Sequence, residues 1–308
     1  MKFIFTTDGH LSSKKPIARM EKTDEEYIET QLAKREQLFK YANDIHATIL
    51  DGGDFFQYWR MEDSSNLLIK TMQLFSKYPD IKYMSNLGNH DIQYHSLENI
   101  ENSLIGVLVE MGVISIQKDL IFNDISVHMF QYSEDLKISS ISDAKTKVAV
   151  IHENIFESSV PPYMSGYTAK QLVELMPSYD LFLCGHNHQQ FVWNNGKQIV
   201  VNGGSTMRLT TKQMDYKPAF WEIAIDEDVA NPILKIGNIS IVKHEYIIKP
   251  DMISDEHLKD NKIETFVEST KDFAEEETFD FRKDVENEME VRKTIDNVRD
   301  IVYDVMEE

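Results

Sequence analysis

Cysteine is nearly absent: Cys184 is the single one in 308 residues. No intramolecular disulfide can form, so a reducing intracellular setting and a cytoplasmic location are expected. No apolar run approaches the roughly 18 residues that a membrane span needs, so no membrane partner is expected. The opening Met1-Lys2-Phe3-Ile4-Phe5 turns polar by Thr6 and does not read as a signal peptide. There is no internal repeat. Basic residues are scarce, 32 against 52 acidic ones, for a formal net charge of −20, which weighs against a nucleic-acid partner. The deficit is uneven. From Trp221 onward there are 25 acidic and 11 basic residues, whereas Met1 to Phe220 carries 27 and 21. Most of the excess therefore lies outside the motifs below, and bound cations would neutralise several carboxylates among those motifs.

Charged residues at 27% and hydrophobic ones at 42% are ordinary for a soluble globular chain, long enough for one large core and a smaller accessory unit. The first part alternates short apolar runs with helix-like segments. Strands are expected at 2–7, 47–50 and 82–86, and helices at 24–43, 64–78 and 97–111. That rhythm implies parallel pairing with helices on the faces. From Val113 short strands dominate, at 125–130, 147–151, 181–184, 191–193 and 198–201, interrupted by a helix at 168–176. A second sheet stacked on the first is expected, giving an α/β fold of four layers, α/β/β/α. Residues 219–225 and 234–246 read as further strands, at the edge of that second sheet and in a small appendage. The domains expected are a core over 1–225, a strand-rich edge or small cap over 226–250, and an acidic helical extension over 251–308. Residues 255–308 contain no glycine or proline, and Val291, Ile295, Val298, Val302 and Val305 recur at spacings of four and three. That is one apolar stripe on an acidic helix, packed on its own domain or reserved for a partner.

Five clusters carry the chemistry: Asp8-Gly9-His10, Gly53-Asp54, Gly88-Asn89-His90-Asp91, His152, and Gly185-His186-Asn187-His188. Each follows a predicted strand, and in open α/β sheets the carboxyl ends of strands converge on the ligand crevice. Taken singly, most read as turns and His152 as a packed core histidine; in ordered conjunction they point to one site. Carboxylates, imidazoles and an amide oxygen suit divalent ions such as Mn²⁺, Fe²⁺ or Zn²⁺. The glycines permit sharp turns and close approach of a phosphate.

The pattern D-x-H, G-D, G-N-H-D, H, G-H-x-H resembles the calcineurin-like metallophosphoesterases over about residues 1–211. The resemblance implies a metallophosphoesterase sandwich holding two divalent cations, Mn²⁺ foremost, with Fe²⁺, Zn²⁺ or Mg²⁺ as alternatives. It assigns Asp8, His10, Asp54 and His188 to one ion and Asp54, Asn89, His152 and His186 to the other, with Asp54 bridging. Two cations about 3.5–4 Å apart activate water and offset the charge that grows on a phosphoryl group. His90, not needed as a ligand, is then a catalytic candidate to protonate the departing oxygen. Asp91 joins it as a candidate that either orients that imidazole or supports the local turn. Cys184 is expected only to pack in its strand.

Within the superfamily the chain is most similar to the nuclease subunit of SbcCD-type (Mre/Rad) DNA repair complexes and their phage-encoded relatives. The echoes are Asp8-Gly9-His10-Leu11, Gly53-Asp54-Phe55-Phe56, Tyr179 to His186, Val201-Asn202-Gly203-Gly204-Ser205 and Lys217-Pro218-Ala219-Phe220-Trp221. That resemblance implies a DNA substrate, an ABC-type ATPase docked on the C-terminal helices, a homodimer, and for phage relatives the host cytoplasm. Two features depart from it: Gln57 stands where some members have histidine, and the region after Phe220 is short for a full cap plus a long ATPase-binding tail. Lys14, Lys15, Arg19, Arg60 and Arg208 lie in loops near the motifs and are candidate phosphate contacts; each reads equally as a solvated surface charge. A stand-alone phosphodiesterase or nucleotide phosphatase, and a non-catalytic scaffold on the same fold, are the competing readings.

Overall fold

The computed structural model describes residues 1–60, 65–93, 97–136, 143–210, 213 and 215–247. The chain divides into two units, Met1–Ile253 and Ser254–Glu308. The second, including the expected C-terminal helix, lies outside the described residues. In the first unit, β1 (Lys2–Thr6) leads to α1 (Asp24–Asp44), β2 (Thr48–Asp51), α2 (Ser65–Lys77) and β3 (Tyr83–Ser85). A 3-10 turn at Leu97–Asn102 precedes α3 (Leu104–Glu110), β4 (Asp119–Phe122), β5 (Ile125–Phe130) and β6 (Thr146–Glu153). The short pair β7 (Ile155–Phe156) and β8 (Tyr167–Thr168) comes next, followed by α4 (Ala169–Leu175), β9 (Leu181–His186), β10 (Phe191–Asn194) and β11 (Ile199–Asn202). Three strands close the unit: β12 (Ala219–Ile225), β13 (Leu234–Ile236) and β14 (Ile239–Glu245).

Two six-stranded sheets form, ordered β13-β14-β12-β1-β2-β3 and β10-β11-β9-β6-β5-β4. Strand alternation explains the layering, because successive side chains point to opposite faces. Phe3 and Phe5 face inward and meet Val148, Val150, Leu181 and Leu183 of the other sheet. Ile4 and Ile49 face out to Ile28, Leu38 and Phe39 of α1 and to Leu74 and Phe75 of α2. On the far side Ala149, Ile151, Phe182 and Cys184 pack against Ala169, Leu172 and Val173 of α4. Three apolar interfaces thus separate four layers, α/β/β/α. Among the described residues no helix is long and apolar enough to cross a membrane.

The helix expected over 97–111 is broken at Ser103. Its hydroxyl caps α3 by accepting from Gly106 N at 3.1 Å, while Leu104 N donates to Trp59 O at 2.8 Å. The 219–225 strand is not at the edge of the second sheet. It pairs antiparallel with β1 inside the first, and 234–246 folds as a hairpin that extends that sheet. β7, β8 and β4 were not anticipated, and β4 forms the edge of the second sheet.

Candidate metal centre

Each sequence cluster sits at the carboxyl end of a parallel strand. Asp8 and His10 follow β1, Asp54 follows β2, and Asn89, His90 and Asp91 follow β3. His152 lies near the end of β6, His186 ends β9, and His188 comes just after it. The loops lock together through the backbone: Asp8 N donates to Gly53 O at 2.9 Å, His10 N to Asp54 O at 2.9 Å, and Leu11 N to Phe55 O at 3.0 Å. Four ligand positions carry positive φ: Asp8 at 50°, His10 at 42°, Asp54 at 56° and His186 at 74°. Such left-handed backbone costs on the order of 1–3 kcal/mol per non-glycine residue and persists where surrounding contacts over-determine it. Gly53 is required on two counts. Its φ is 107°, and a Cβ there would fall 2.7 Å from Gly88 N and 2.8 Å from His152 Nδ1.

The donor atoms converge. His10 Nε2 lies 3.0 Å from His188 Nε2, and the two lie 3.8 and 3.5 Å from Asp8 Oδ1. Asp54 Oδ2 stands 3.6 Å from His10 Nε2 and 3.2 Å from His152 Nε2, so it faces both halves of the cluster. Asn89 Oδ1 is 3.3 Å from His152 Nε2. Asp8, His10 and His188 form one group with ligand atoms within 4.8 Å of one another; Asp54, His152 and His186 form a second; His10, Asp54 and His90 overlap both. Asp54 is grouped with His152 and His186 on one side and with His10 and His90 on the other, so its carboxylate faces both halves of the cluster.

Protonation follows from the hydrogen bonds. His152 Nδ1 sits 2.8 Å from Gly52 O; a carbonyl only accepts, so Nδ1 carries a hydrogen and Nε2 is the nitrogen that faces the cluster. Burial alone would raise the Asp8 carboxyl, but hydrogen bonds with His10 and His188 outweigh it and hold the group well below the usual carboxylate range. Burial is likewise overcome at Asp54 by the charges of His152 and His90, and the carboxyl is lowered. Against its own burial, His152 is raised to about 10 by Asp54. Burial, and then His152, push His186 down to about 3, leaving it neutral. Ionised carboxylates and a neutral imidazole are the forms that divalent cations bind, and the extra proton on His152 is one that a cation would displace. The set of carboxylate, imidazole and amide donors therefore fits a pair of borderline or hard divalent ions.

Residues 1–190 match the calcineurin-like phosphoesterase family. This chain is a calcineurin-like phosphoesterase. Membership implies a metal-dependent hydrolase. No curated protein matches the chain. Among solved structures it is similar to a provisionally named 5'-nucleotidase from Staphylococcus aureus, at 16% identity and a TM-score of 0.49, over 87% of this chain. The chain spans 58% of the length of that protein. A dimetal phosphatase from Danio rerio shares 9% identity at a TM-score of 0.46, over 80% of this chain and 99% of its own. The calcineurin-like phosphoesterase YfkN from Bacillus subtilis shares 14% at 0.44, over 80% and 90%. At these identities and scores none of the three bears on what this phosphoesterase acts on.

Within the phosphoesterase site His90 is held from two sides. Its backbone N donates to Asp54 Oδ1 at 2.9 Å, and its Nδ1 sits 2.8 Å from Gln57 O, which again places the hydrogen on Nδ1. Nε2 is thereby left to face a reacting group. Asp91 does not orient that ring. Its Oδ2 accepts from Asp54 N at 2.8 Å and Gly88 N at 2.9 Å, and its Oδ1 from Phe55 N at 2.9 Å and Phe56 N at 3.4 Å. Of its two expected roles, the carboxylate fills the turn-supporting one, so Asp91 is a positioning residue rather than a catalytic one. Burial and the neighbouring Asp54 push it up to about 7.

The candidate phosphate contacts fare unevenly. Arg19 is 2% exposed; its guanidinium is spent on Glu21, the Arg208 carbonyl and the Tyr27 ring, which removes it from the set. Lys14 pairs with Asp24 at 3.6 Å, and Lys15 Nζ donates to Arg19 O at 3.3 Å. Arg60 is exposed and stacks on Trp59, and Arg208 is half-buried. Sequence reasoning missed Thr7, whose hydroxyl donates to Asp8 Oδ2 at 2.8 Å, and Tyr132, whose ring lies 5.4 Å from that of His186. It also missed Arg35, a charged residue on the buried stripe of α1 formed with Tyr27, Ile28, Gln31, Leu38 and Phe39. A cation at a core position of an amphipathic helix was the available signal.

Proposed function

We propose that this phosphoesterase is a Mn²⁺-dependent DNA nuclease of recombination and repair, working with an SbcC-type ABC ATPase through its C-terminal helices. The observation that carries the phosphodiester reading is His90, fixed by Gln57 O through Nδ1 and leaving Nε2 for a departing oxygen. Asp8, His10, Asp54 and His188 would hold one divalent ion and Asp54, Asn89, His152 and His186 the other; such ions, when bound, would supply an activated water and positive charge for the phosphoryl oxygens. The chain's own residues do the rest. Asp54, through Oδ1, accepts from the backbone of His90 and so couples the acid to the ligand cluster. With a proton on Nε2, the His90 imidazole hands it to the leaving 3' or 5' oxygen as that bond breaks. The DNA and ATPase assignments are supported by the SbcCD-type sequence echoes around these ligands and by the acidic apolar-striped segment after Met289.

The test is hydrolysis of single- and double-stranded DNA with Mn²⁺, with and without chelator. Degradation or nicking that the chelator abolishes is expected. His90→Ala should lower turnover by about 10²–10⁴-fold with metal content unchanged. Turnover of simple phosphate esters with DNA left intact would instead indicate a small-molecule phosphodiesterase. No metal-dependent hydrolysis of any ester would indicate a scaffold.

A further inference from the structure

Arg35 is 4% exposed, in the middle of α1. Its Nη1 lies 3.5 Å from Asp51 Oδ2 and bonds the Tyr83 hydroxyl, which itself bonds Asp51. The guanidinium carbon sits 4.3 Å from the Phe55 ring centroid. Nη2 crowds Gly9 so closely that a Cβ there would lie 2.3 Å away. None of these partners is a ligand, yet Gly9, Phe55 and Asp51 each lie within three residues of one. Gly9 separates Asp8 from His10, Phe55 follows Asp54, and Asp51 Oδ1 accepts from Gly53 N at 3.1 Å just before Asp54. Desolvating a guanidinium is expensive unless its charge is answered. Here the answering carboxylate is Asp51, 1% exposed and 3.5 Å from Nη1. The guanidinium keeps its charge at any working pH, so it can hold Asp51, and through it the Gly53 amide beside Asp54, in place before a cation arrives.

We infer that Arg35 is a positioning residue that holds the ligand loops 8–10 and 51–55 assembled and so sets the affinity of the site for its divalent ions. The inference rests on the two-ion reading of the site. Its test is titration of the full chain with Mn²⁺ by calorimetry, for wild type, Arg35→Met, Arg35→Lys and Tyr83→Phe. Melting is followed with and without Mn²⁺, and kcat and KM are taken at saturating Mn²⁺. Removing groups that bond metal ligands directly commonly costs about 10–100-fold in affinity, and Arg35, one step further out, is expected at the lower end, about 10-fold. Arg35→Met should raise the Mn²⁺ Kd by that factor while kcat at saturating Mn²⁺ approaches the wild-type value. Arg35→Lys should recover only part of the affinity, because an ammonium lacks the planar fork. Tyr83→Phe keeps the cation, removes one hydroxyl, and should weaken Mn²⁺ in the same direction by less. Should Arg35→Met fail to melt cooperatively, Arg35→Lys and Tyr83→Phe decide: raised Kd supports the role, and unchanged Kd in both overturns it. A melting temperature lowered equally with and without Mn²⁺, at wild-type Kd, would also overturn it. Wild-type protein that takes up no Mn²⁺ would refute the two-ion reading itself; uptake with unaltered affinity in the variants refutes only the part given to Arg35.

Discussion

His90 and Asp91 are adjacent in the chain, yet their side chains answer to different partners. His90 meets the Gln57 carbonyl, while Asp91 collects the amides of Asp54, Phe55, Phe56 and Gly88. Their substitutions should therefore diverge. Losing the His90 ring removes a proton donor and spares the fold. Asp91→Ala orphans buried backbone donors, each at about 1–3 kcal/mol, and loosens the turn that carries Asp54. A clearly lower melting temperature together with lost Mn²⁺ binding is expected, read by thermal melting and metal content; a wild-type melt would contradict the turn-supporting role. At this scale the ligands were legible because their residue types cluster in short motifs after strands. The link between Arg35, Asp51 and Tyr83 was not, because they lie in three separate elements and only the packing of α1 against β2 and β3 brings them together.

Among elements, β12 shows what an apolar run can and cannot say. All seven of its residues are buried, Glu222 included, so the strand was readable. A strand buried on both faces has no alternation to indicate its sheet, so its place beside β1 was not. β4 was harder still: Ile121 is 71% exposed at a sheet edge, which leaves no polar–apolar rhythm. Glu222 also joins elements. It accepts from Tyr41 of α1 at 2.7 Å, pairs with Lys2 of β1 at 3.0 Å, and lies 3.1 Å from His244 of β14. Burial opposes its ionisation, but the Tyr41, Lys2 and His244 contacts win and hold its carboxyl below the ordinary value. A depressed carboxyl stabilises the fold above the unfolded value, about 4.3, and that contribution is lost as pH falls through the folded one. Glu222→Gln should thus lower stability at neutral pH by about 1.5–3 kcal/mol, the worth of hydrogen bonds to a charged group. It should also flatten the acid limb of a stability–pH curve measured by urea unfolding. An acid limb of unchanged slope would count against the clip.

For the whole molecule, charge is partitioned along the chain: 25 acidic and 11 basic residues follow Phe220, and the ligands all precede it. The proposed ATPase docking and the hydrolytic site thus fall on different stretches of the sequence. Deleting the residues after Met289 should abolish co-purification with an SbcC-type ATPase and leave hydrolysis of a simple phosphodiester intact; undiminished association would defeat the docking proposal. The layered architecture was legible here from the order of segments, strands alternating with helices in the first part and short strands dominating from Val113.

The ordering of the first sheet also bears on how the enzyme comes into being. β1 lies between β2 and β12, and Lys2 to Phe5 register against Ala224 to Trp221. Synthesis proceeds at about 5–20 residues per second, so a nascent chain will have displayed every ligand, and the whole span matching its family, for seconds before that closing strand exists. During that interval one edge of the strand that launches Asp8 and His10 has no neighbour, and the half-built sheet is a template for mispairing. Stalling translation, or any break between His188 and Ala219, would leave a protein with all of its chemistry encoded and no closed framework to aim it.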